Sequence, residues 1–415
     1  MAGAGGLERV ERTCPLGDAW FAEHVAAGGP AARVDGTEAD LAEAVDAAAD
    51  LLLNARLPLV YGLGQTSCEA QREAVALAEA VGGVVDLAGA VLDGSSSVAL
   101  HALGGSTATF GEVRDRAKLL VAWRVDPAVT HPRLLPRLHA DRDGGASRDP
   151  ERTLIVVDAQ PTATAEKADA FIELPAHLDF EALWALRALV RGAPLDRALA
   201  GRLPLDDLER LAQRLRGCGH GAVLHGAGLG AAAAGHMNVL ALFSLVRDLS
   251  RAAHVVAVPL RREANALGAE NVLAWQTGYA GGVSFSRGYP RASRGEFDAR
   301  RLLAHGEADA ALIVASDPLE HLPAPAAAHL RRIPTVVVDS RTTATAQAAR
   351  VAFATATAGV HRAGTLHRMD GVPLPLRQVL EWARADEREV LAAIGARVGA
   401  LRNDTGETVP DQRED

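Results

Sequence analysis

The chain has 415 residues, of which 48% are hydrophobic, so it is long enough to bury more than one apolar core. Its formal net charge of −9 and sequence pI near 5.9 argue against nucleic acid or an anionic membrane as the main partner. No basic stretch followed by an apolar run opens the chain, so no secretory signal is expected and the predicted location is the cytoplasm.

Short apolar runs alternate with helical periodicity along most of the chain. The first set predicts strands at 57–62, 84–87, 118–123 and 154–157 and a helix over 68–81. The second set predicts strands at 222–225, 254–259, 310–315 and 335–338 and a helix over 237–249. Strands of this length, separated by helices, are typical of parallel sheets covered on both faces. Residues 217–246 lack Asp, Glu, Lys and Arg, but their glycines and histidines break the apolar pattern, so no membrane span is expected.

Three segments of the chain recur in the same order, which predicts an internal duplication. The matched pairs are Gly62 and Gly64 with Gly226 and Gly228, Asp126 with Asp317, and Asp158 with Asp339. The predicted fold is therefore α/β, with two pseudo-symmetric, parallel-sheet, Rossmann-like halves. Each aspartate follows a strand, so it is expected at the carboxyl edge of its sheet, where open α/β folds bind ligands.

The duplication and composition predict four segments. They are an N-terminal segment over 1–50, a first half over 51–190, a second half over 205–358 and a C-terminal segment over 359–415. The Gly-, Pro- and Arg-containing stretch 192–204 is expected to connect the halves. The acidic tail of the last segment, from Arg402 onward, lacks apolar periodicity and is expected to be disordered.

The glycine turns after the first strand of each half are candidate phosphate cradles, because bare backbone amides at a helix start suit an anion. Gly62 and Gly64 lack the third glycine of the dinucleotide fingerprint, so a simple strand-to-helix corner is the competing interpretation. The same two interpretations apply to Gly226 and Gly228.

Several ordered segments resemble the B subunit of formylmethanofuran dehydrogenase, and the resemblance runs from about Cys14 to Arg377. The matching segments are 58–71, 109–113, 126–127, 131–133, 275–279, 315–318, 364–365 and 368–373. The resemblance implies the molybdopterin oxidoreductase fold, in which each α/β half holds one pterin guanine dinucleotide. On that basis Gly62, Gly64, Gly226, Gly228, Asp158 and Asp339 are vestigial candidates for cofactor contacts.

The departures from this family concern its metal chemistry. Cys14 resembles the last cysteine of the family's iron–sulfur cluster, but no other cysteine precedes it, and one thiolate does not hold a cluster. Alignment through Gly94 places Leu92 and Asp93 at the family's metal-binding Cys and its following His, and a leucine offers no lone pair to tungsten or molybdenum. Arg261 matches an arginine of the family's active-site region. The segment 1–50 is accordingly expected to be a remnant of an iron–sulfur domain.

With these departures, the chain resembles the B subunit of the bacterial formyltransferase/hydrolase complex. The resemblance implies a non-catalytic, structural or carrier-binding subunit without pterin, molybdenum or tungsten of its own. The implied partners are an amidohydrolase-like A subunit, the C and D subunits, and a methanofuran-like carrier. The complex would convert formyl-tetrahydromethanopterin to formate in one-carbon oxidation. Three classes stay open: a scaffold subunit, a module whose vacated cleft binds the carrier, and an active molybdo- or tungsto-pterin dehydrogenase subunit.

Other polar residues have structural explanations beside functional ones. The histidine pairs His361 with His367 and His220 with His225 are candidate metal ligands, although no metalloprotease-like spacing occurs. Cys68 and Cys218 are expected to be small packed residues rather than nucleophiles. The run Ser95–Ser97 is expected to cap a helix, Asp158 and Asp339 to cap turns near the Thr-rich segments that follow them, and Arg261 and Arg262 are candidates for binding an acidic partner.

Overall fold

The structure is a computed structural model, which describes residues 9–25, 29–140, 149–196, 201–231 and 235–405 and the backbone of 2–3 and 6–7. The side chains of residues 90–95, 97 and 405 lie outside the described part. The middle of the predicted connection, 197–200, and the last residues of the predicted acidic tail, 406–415, are also outside it.

Strands and helices alternate along the described chain. The strands are β1 (Ala2–Gly3), β2 (Gly6–Leu7), β3 (Ala32–Val34), β4 (Thr37–Ala39), β5 (Pro58–Gly62), β6 (Val84–Leu87), β7 (Leu119–Trp123), β8 (Thr153–Asp158), β9 (Ala170–Glu173), β10 (His220–His225), β11 (His254–Pro259), β12 (Val283–Ser284), β13 (Arg291–Ala292), β14 (Ala310–Val314), β15 (Thr335–Asp339), β16 (Val351–Ala354), β17 (Gly364–His367) and β18 (Pro373–Leu376).

The helices are α1 (Pro15–Val25), α2 (Leu41–Leu53), α3 (Cys68–Ala80), α4 (Ala88–Leu103), α5 (Phe110–Arg116), α6 (Pro127–Thr130), α7 (Leu134–Arg137), α8 (Ala163–Glu166), α9 (Asp179–Val190), α10 (Leu205–Gly217), α11 (Ala227–Gly230), α12 (Gly235–Leu249), α13 (Ala266–Thr277), α14 (Ala299–Ala304), α15 (Pro318–His321), α16 (Ala324–Leu330), α17 (Ala344–Ala348) and α18 (Glu387–Thr405), with one 3-10 turn at Ala176–Leu178. Side-chain caps fix several starts, because a cap oxygen satisfies a backbone N–H that has no partner within the helix. Ser67 caps α3, and Thr109 and Glu112 form a reciprocal capping box at α5.

The chain forms two compact units. Unit 1 comprises Met1–Val91, Glu263–Arg368 and Pro373–Asp415, and unit 2 comprises Leu92–Arg262 and Met369–Val372. These units differ from the predicted segments 51–190 and 205–358, because each unit takes strands from both. The predicted N-terminal segment 1–50 also contributes to unit 1, since β3 and β4 extend its sheet and α2 packs against it.

Unit 1 contains a nine-stranded sheet in the order β13-β12-β6-β5-β14-β15-β16-β3-β4. Its central strands, from β6 to β16, are parallel, and the pairs at both edges are antiparallel. Alternate residues of a strand point to opposite faces. In β5, Val60 therefore packs with α2, α3, α13 and α18, whereas Leu59 and Tyr61 pack in the other core with α14 and α16.

Unit 2 contains a five-stranded parallel sheet in the order β11-β10-β7-β8-β9. One face packs against α9, α10 and α12, and the other against α5 and α7. The same relative order occurs in the parallel part of unit 1, which reads β6-β5-β14-β15-β16. The predicted duplication of strands is thus confirmed as two parallel sheets of matching order.

The two copies exchange strands. In unit 1, β5 and β6 belong to the first copy of the repeat and pair with β14 of the second. In unit 2, β10 and β11 belong to the second copy and pair with β7 of the first. The reason is the long crossover after each strand pair, which lets a parallel neighbour come from anywhere in the chain.

The predicted elements lie where the periodicity placed them, to within two residues at either end. The predicted disordered tail is partly wrong, because α18 continues through Thr405. Within the described residues, no helix is long and apolar enough to cross a membrane.

Candidate functional site

The two glycine turns lie at the carboxyl edges of the two sheets. Gly62 is the last residue of β5, and Gly226 directly follows β10. Gly62 has φ +115°, and a Cβ there would come within 2.2 Å of the Val314 carbonyl oxygen. Its conformation and its close approach to β14 both require glycine. The turn is therefore explained by strand packing alone.

A carboxylate fills the second glycine position of the unit 1 turn. A Cβ on Gly64 would lie 1.8 Å from Oε2 of Glu263, and a Cβ on Gly89 would lie 3.1 Å from the same oxygen. The Asn265 backbone amide also donates to the Gly64 carbonyl at 2.8 Å, which holds the segment carrying Glu263 against the turn. The Glu263 carboxyl group thus lies in the space beside the turn, where a phosphate would have to meet bare amides.

Unit 2 keeps an open cleft at the corresponding turn. The cleft has a volume of about 260 Å³, and its lining includes Arg124, Asp126, Asp158, His131, Gly226, Gly228 and Arg262. Gly228 is required here by packing, since its Cβ would lie 2.5 Å from the Arg124 carbonyl oxygen. Pockets that enclose a small ligand commonly measure roughly 300–1,000 Å³, so this cleft is small for a dinucleotide.

Arg124 is the organising side chain beside that cleft. Its Nε donates to both oxygens of Asp179 at 2.9 and 3.1 Å, and its Nη1 donates to Asp158 at 3.1 Å. Nη2 donates to the Leu174 carbonyl, so every nitrogen of the guanidinium has an acceptor. Asp179 also accepts the indole N–H of Trp123 at 2.9 Å. This network commits Arg124 to the protein, so it is not a free cation for a ligand.

The matching position in unit 1 lacks this arginine. Asp339 is instead bound by Arg341, whose backbone N–H donates at 2.8 Å and whose guanidinium donates at 3.1 and 3.2 Å. Burial raises the pKa of Asp339, and the Arg341 charge opposes that rise. Asp158 and Asp339 both therefore serve as anchors for arginine side chains at strand ends.

As predicted, Asp339 caps the turn that follows it, because its carboxylate accepts the Arg341 backbone N–H at 2.8 Å. Neither Asp158 nor Asp339 holds the Thr-rich segment after it. The aspartates that hold those segments are Asp126 and Asp317, which follow β7 and β14. Asp126 accepts the backbone N–H of Thr164 at 3.0 Å and its hydroxyl. In the sequence, Asp158 and Asp339 are the aspartates nearest to the Thr-rich segments. The actual partners, Asp126 and Asp317, follow the neighbouring strands of the same sheets.

The same junction is built twice in nearly identical form. Asp317 accepts the Thr345 N–H at 3.1 Å, the Thr345 hydroxyl and the Ala344 N–H at 2.8 Å. Asp126 and Asp317 also share their backbone angles, with φ −114° and −118° and ψ 79° in both. The repeated Asp and Thr residues are therefore structural links between neighbouring parallel strands.

Of the three vestigial active-site residues, the structure describes the side chain of Arg261 but not those of Leu92 and Asp93. Leu92 and Asp93 lie in α4, but their side chains are outside the described part, as is most of the run Ser95–Ser97. Arg261 is buried, with 6% of its surface exposed, and its carbonyl accepts from Nε2 of His131 at 2.9 Å. Arg262 is exposed and lines the unit 2 cleft.

The cysteines and histidines have local partners. Cys14 precedes α1, and Cys218 caps α10 with its thiol on the Leu215 carbonyl at 3.3 Å. Cys68 opens α3, where its sulfur lies 3.4 Å from Nδ1 of His367, and burial raises the pKa of the thiol. This supports the interpretation of Cys68 as a packed residue.

The predicted histidine pairs have separate environments. Nδ1 of His361 accepts from the Thr357 amide at 3.2 Å, and His220 stacks on His254 with ring centroids 5.4 Å apart. His225 is at the other end of β10, fully buried, and burial lowers its pKa to about 3. Among the described residues, no group of three His, Cys, Asp or Glu side chains has a geometry for a metal ion.

Sequence reasoning missed three residues that define these edges: Glu263, Arg124 and Asp179. Glu263 and Arg124 could have been identified from the sequence, since each is a charged residue among apolar or glycine-rich neighbours at a strand end or turn. Asp179 opens an ordinary amphipathic helix, and nothing local marks it as the partner of Arg124.

Comparisons with known proteins give a consistent set of relatives. The chain is 37% identical to the B subunit of the tungsten-containing formylmethanofuran dehydrogenase 2 of Methanocaldococcus jannaschii, over 84% of this chain and 80% of that protein. It is 32% identical to the B subunit of the formyltransferase/hydrolase complex of Methylorubrum extorquens, over 71% of this chain and 76% of that protein. No protein-family model matches the chain.

Solved structures agree with these relatives. A chain from the crystal structure of the M. extorquens formyltransferase/hydrolase complex, determined with methylofuran, superposes with a TM-score of 0.73 and 28% identity. The match covers 89% of this chain and 99% of that chain. Acetylene hydratase from Pelobacter acetylenicus matches with a TM-score of 0.61 over 88% of this chain and 59% of that chain. At 14% identity, that likeness shows a shared fold only.

Proposed function

Because the chain belongs to the family of formylmethanofuran dehydrogenase B subunits, we propose that it is the B subunit of a formyltransferase/hydrolase complex and contributes no redox chemistry of its own. Its proposed partners are the A, C and D subunits of that complex and a methanofuran-like carrier. The complex would take the formyl group from formyl-tetrahydromethanopterin to formate, in the cytoplasm. This chain would act as a scaffold or carrier-binding subunit.

The observation that carries the proposal is the carboxylate of Glu263 against Gly64. A pterin guanine dinucleotide is bound by its phosphates, and phosphates need donors or cations. At this turn, a Cβ on Gly64 would already lie 1.8 Å from a Glu263 oxygen, so the space is filled by a carboxyl oxygen, which accepts hydrogen bonds and does not donate to a phosphate as an amide does. The residues present do not fit the phosphate-bearing group at unit 1.

Unit 2 also offers few donors for a pterin dinucleotide, although its cleft alone would not carry the proposal. Its cleft of about 260 Å³ has Arg124 at its wall, but that guanidinium is already bound to Asp158 and Asp179. Among the described residues that line the cleft, Arg262 is the exposed cation left at the rim. A single arginine is a weak site for a ligand with two phosphates, whose recognition commonly uses several donors.

The sequence provides a second, independent support. A redox metal centre needs a protein ligand for the metal and a cluster that conducts electrons. Leu92 aligns with the family's metal-binding cysteine, and a leucine side chain offers tungsten or molybdenum no lone pair.

The test is elemental analysis and pterin extraction on the complex purified from its native host. We expect less than about one tenth of an equivalent of molybdenum or tungsten per molecule of this protein and no released pterin, with zinc retained by the A subunit. Close to one equivalent of either heavy metal, together with released pterin, would contradict the proposal. It would favour the dehydrogenase, which is the activity named for the relative at 37% identity.

A variant sharpens this test. Glu263→Gly removes the carboxylate from the Gly64 turn, whereas Glu270→Gly removes a charge from the middle of α13. If the carboxylate is what excludes a phosphate, Glu263→Gly should gain affinity for inorganic pyrophosphate, measured by calorimetry on the full chain, and the Glu270 control should not. Equal affinity in all three proteins would show that Glu263 does not govern the turn.

A further inference from the structure

An arginine-rich cleft lies at the edge of the unit 2 sheet opposite its glycine turn. The cleft has a volume of about 900 Å³ and is lined by Val190, Arg191, Arg216, Arg247, Asp248, Ser250, Arg251 and Ala252. Residues 250–252 directly precede β11, whereas the glycine turn follows the end of β10. The two clefts therefore occupy opposite edges of the same sheet.

Three helix ends build this arginine cleft. Arg191 is the C-cap of α9, Arg216 lies in the last turn of α10, and Arg247 lies in the last turn of α12. Arg251 follows α12 in the loop that leads to β11. All four arginines are exposed. The helix ends fix the backbones of Arg191, Arg216 and Arg247, and all four arginines line the same cleft.

The charge inventory of the cleft is one-sided. Its one carboxylate among the described lining residues, Asp248, is already bound by the buried Arg187 at 2.7 Å and also by Arg191. Within the ranges that the structure describes, Arg216, Arg247 and Arg251 have no carboxylate within ion-pair distance. Three uncompensated cations in one concave surface contrast with a chain whose net charge is −9. Such a concentration of like charge costs stability unless an anion binds there.

Helix electrostatics explains part of this arrangement. A cation in the last turn of a helix interacts favourably with the helix dipole, by roughly 0.3–1 kcal/mol. That effect accounts for one arginine on each helix. It does not account for the convergence of three helix ends around a cleft, or for Arg251, which lies outside any helix.

An exposed aromatic ring adjoins the cleft through one contact. Trp184 of α9 is 46% exposed, and the Arg187 guanidinium lies 4.1 Å from the centre of its ring. Arg187 in turn binds Asp248 in the cleft lining. Exposed tryptophan next to arginine is the composition that dominates binding energy at protein–protein interfaces.

We propose that the arginine cleft docks an acidic polypeptide segment of a partner subunit. Its Asp and Glu carboxylates would bind Arg216, Arg247 and Arg251, and Trp184 would contact the apolar side of the same segment. Guanidinium groups favour carboxylates because two N–H groups can donate to the two oxygens in parallel. The inference rests on the proposed function only in taking the occupant to be a subunit of the same complex.

The first experiment measures assembly of the whole complex. Arg216→Glu/Arg251→Glu reverses two exposed charges in the cleft, and Arg331→Glu/Arg332→Glu makes the same charge change on an exposed turn of unit 1. Each variant is produced with its native partner subunits, and dissociation is followed by native mass spectrometry as salt is raised. We expect the cleft variant to weaken retention of one partner by about tenfold or more, and the control by less than about twofold.

The second experiment identifies the ligand chemistry. A fluorescent oligoglutamate peptide is titrated into the full chain by anisotropy, beside a single-stranded oligonucleotide of equal charge. We expect the peptide to bind wild type and the Arg331/Arg332 control alike, and the cleft variant about tenfold more weakly. Circular dichroism and the melting temperature check that both variants fold.

Three results would overturn the proposal. Equal losses in the cleft variant and the control would show that net charge alone governs binding. Tighter binding of the oligonucleotide would show that the cleft suits phosphates rather than carboxylates. Full assembly by the cleft variant would show that no partner docks there. None of these results depends on metal or pterin content, so failure here is distinguishable from failure of the proposed function.

Discussion

In each unit, one helix packed against the sheet begins with a buried acidic residue, but the two acids have different partners. In unit 2, α9 opens with Asp179 after β9. In unit 1, α18 opens with Glu387, and the β17–β18 hairpin lies between it and β16 in the chain. Asp179 is 2% exposed and Glu387 is 4% exposed. Both acids therefore face a desolvation penalty.

The difference is the residue after the neighbouring strand. Arg124 follows β7 and binds Asp179 through both carboxylate oxygens. The matching position after β14 is Ala315, which has no charge to offer. Glu387 instead accepts hydrogen bonds from the Thr355 hydroxyl, at 2.8 Å, and from its own backbone N–H. Unit 2 therefore pairs its buried acid with an arginine, whereas in unit 1 burial favours the protonated form of Glu387.

This comparison shows that the backbone was duplicated and kept while the electrostatics diverged. Arg124 and Ala315 both have positive φ, of 52° and 47°, and both donate their N–H to the next strand, at 3.1 and 2.9 Å. Because the backbone hydrogen bonds are identical, the side chain at that position was free to change. The consequence appears in how each unit should respond to mutation and to pH.

Removal of Arg124 should have the largest effect. Arg124→Ala leaves Asp179 buried without its cation and leaves the Leu174 carbonyl without its donor. Loss of one partner of a buried ion pair costs about 3–5 kcal/mol, so we expect the free energy of unfolding to fall by that amount at neutral pH. Urea denaturation followed by tryptophan fluorescence measures it, since Trp123 donates to the same carboxylate.

Two further variants make that result interpretable. Arg56→Ala removes an arginine whose side chain is 87% exposed, and it should change the stability by less than about 1 kcal/mol. Arg124→Met/Asp179→Leu removes both charges and should recover most of the loss. A single variant at Arg124 that is as stable as wild type would mean that the pair is not needed to hold α9.

The pH dependence of unit 1 is the second prediction. Burial raises the pKa of Glu387 to about 8, from an unfolded value near 4.5. A raised folded pKa gives stability that is fully present below the unfolded pKa and is lost as pH rises through the folded one. Between about pH 5 and 8, the contribution of Glu387 should therefore fall by about 1.4 kcal/mol per pH unit.

Glu387→Gln isolates this effect. The glutamine oxygen can still accept from Thr355, but the side chain no longer ionises. We expect the stability difference between the variant and wild type to grow in favour of the variant from pH 5 to pH 8 and to level off above that. Burial raises the pKa of Asp179 too, but Arg124 opposes that rise, so Asp179→Asn should show a smaller gain over the same pH range. A constant difference for Glu387→Gln across this range would contradict a protonated buried acid.

The smallest expected effect compares the two Asp–Thr junctions. Thr345→Val removes the hydroxyl that donates to Asp317, which is 8% exposed, and should cost about 1–2 kcal/mol. Thr164→Val should cost less, because Asp126 is half-buried and water can replace the hydroxyl. Thermal melts of the two variants test the order. A larger loss at Thr164 would show that Asp126 is less accessible to water than its exposure indicates.

The strand boundaries were predictable because fully buried parallel strands give continuous apolar runs bounded by glycine, proline and aspartate. β5, β6 and β11 show this, and the predicted and observed ends agree closely. The repeat was likewise visible, since the glycine turns after β5 and β10 recur in the sequence in the same order as the Asp residues that follow.

The pairing of strands was not predictable from the same pattern. An apolar run shows that both faces of a strand are covered, but it does not say which strand lies beside it. β5 therefore carries no local sign that its neighbour is β14, from the other copy of the repeat. The division of the chain into units follows from that pairing, which is why it differs from the division by sequence.

The chain's own residue order thus determined the α/β class, the duplicated strands and the aspartates at their ends, because these depend on local sterics and burial of apolar runs. Only the tertiary structure decided which charges meet. Glu263 reaches Gly64, and Arg124 reaches Asp179, across long stretches of chain that fold between them. Electrostatics depends on distance in space and on desolvation, and a linear sequence records neither.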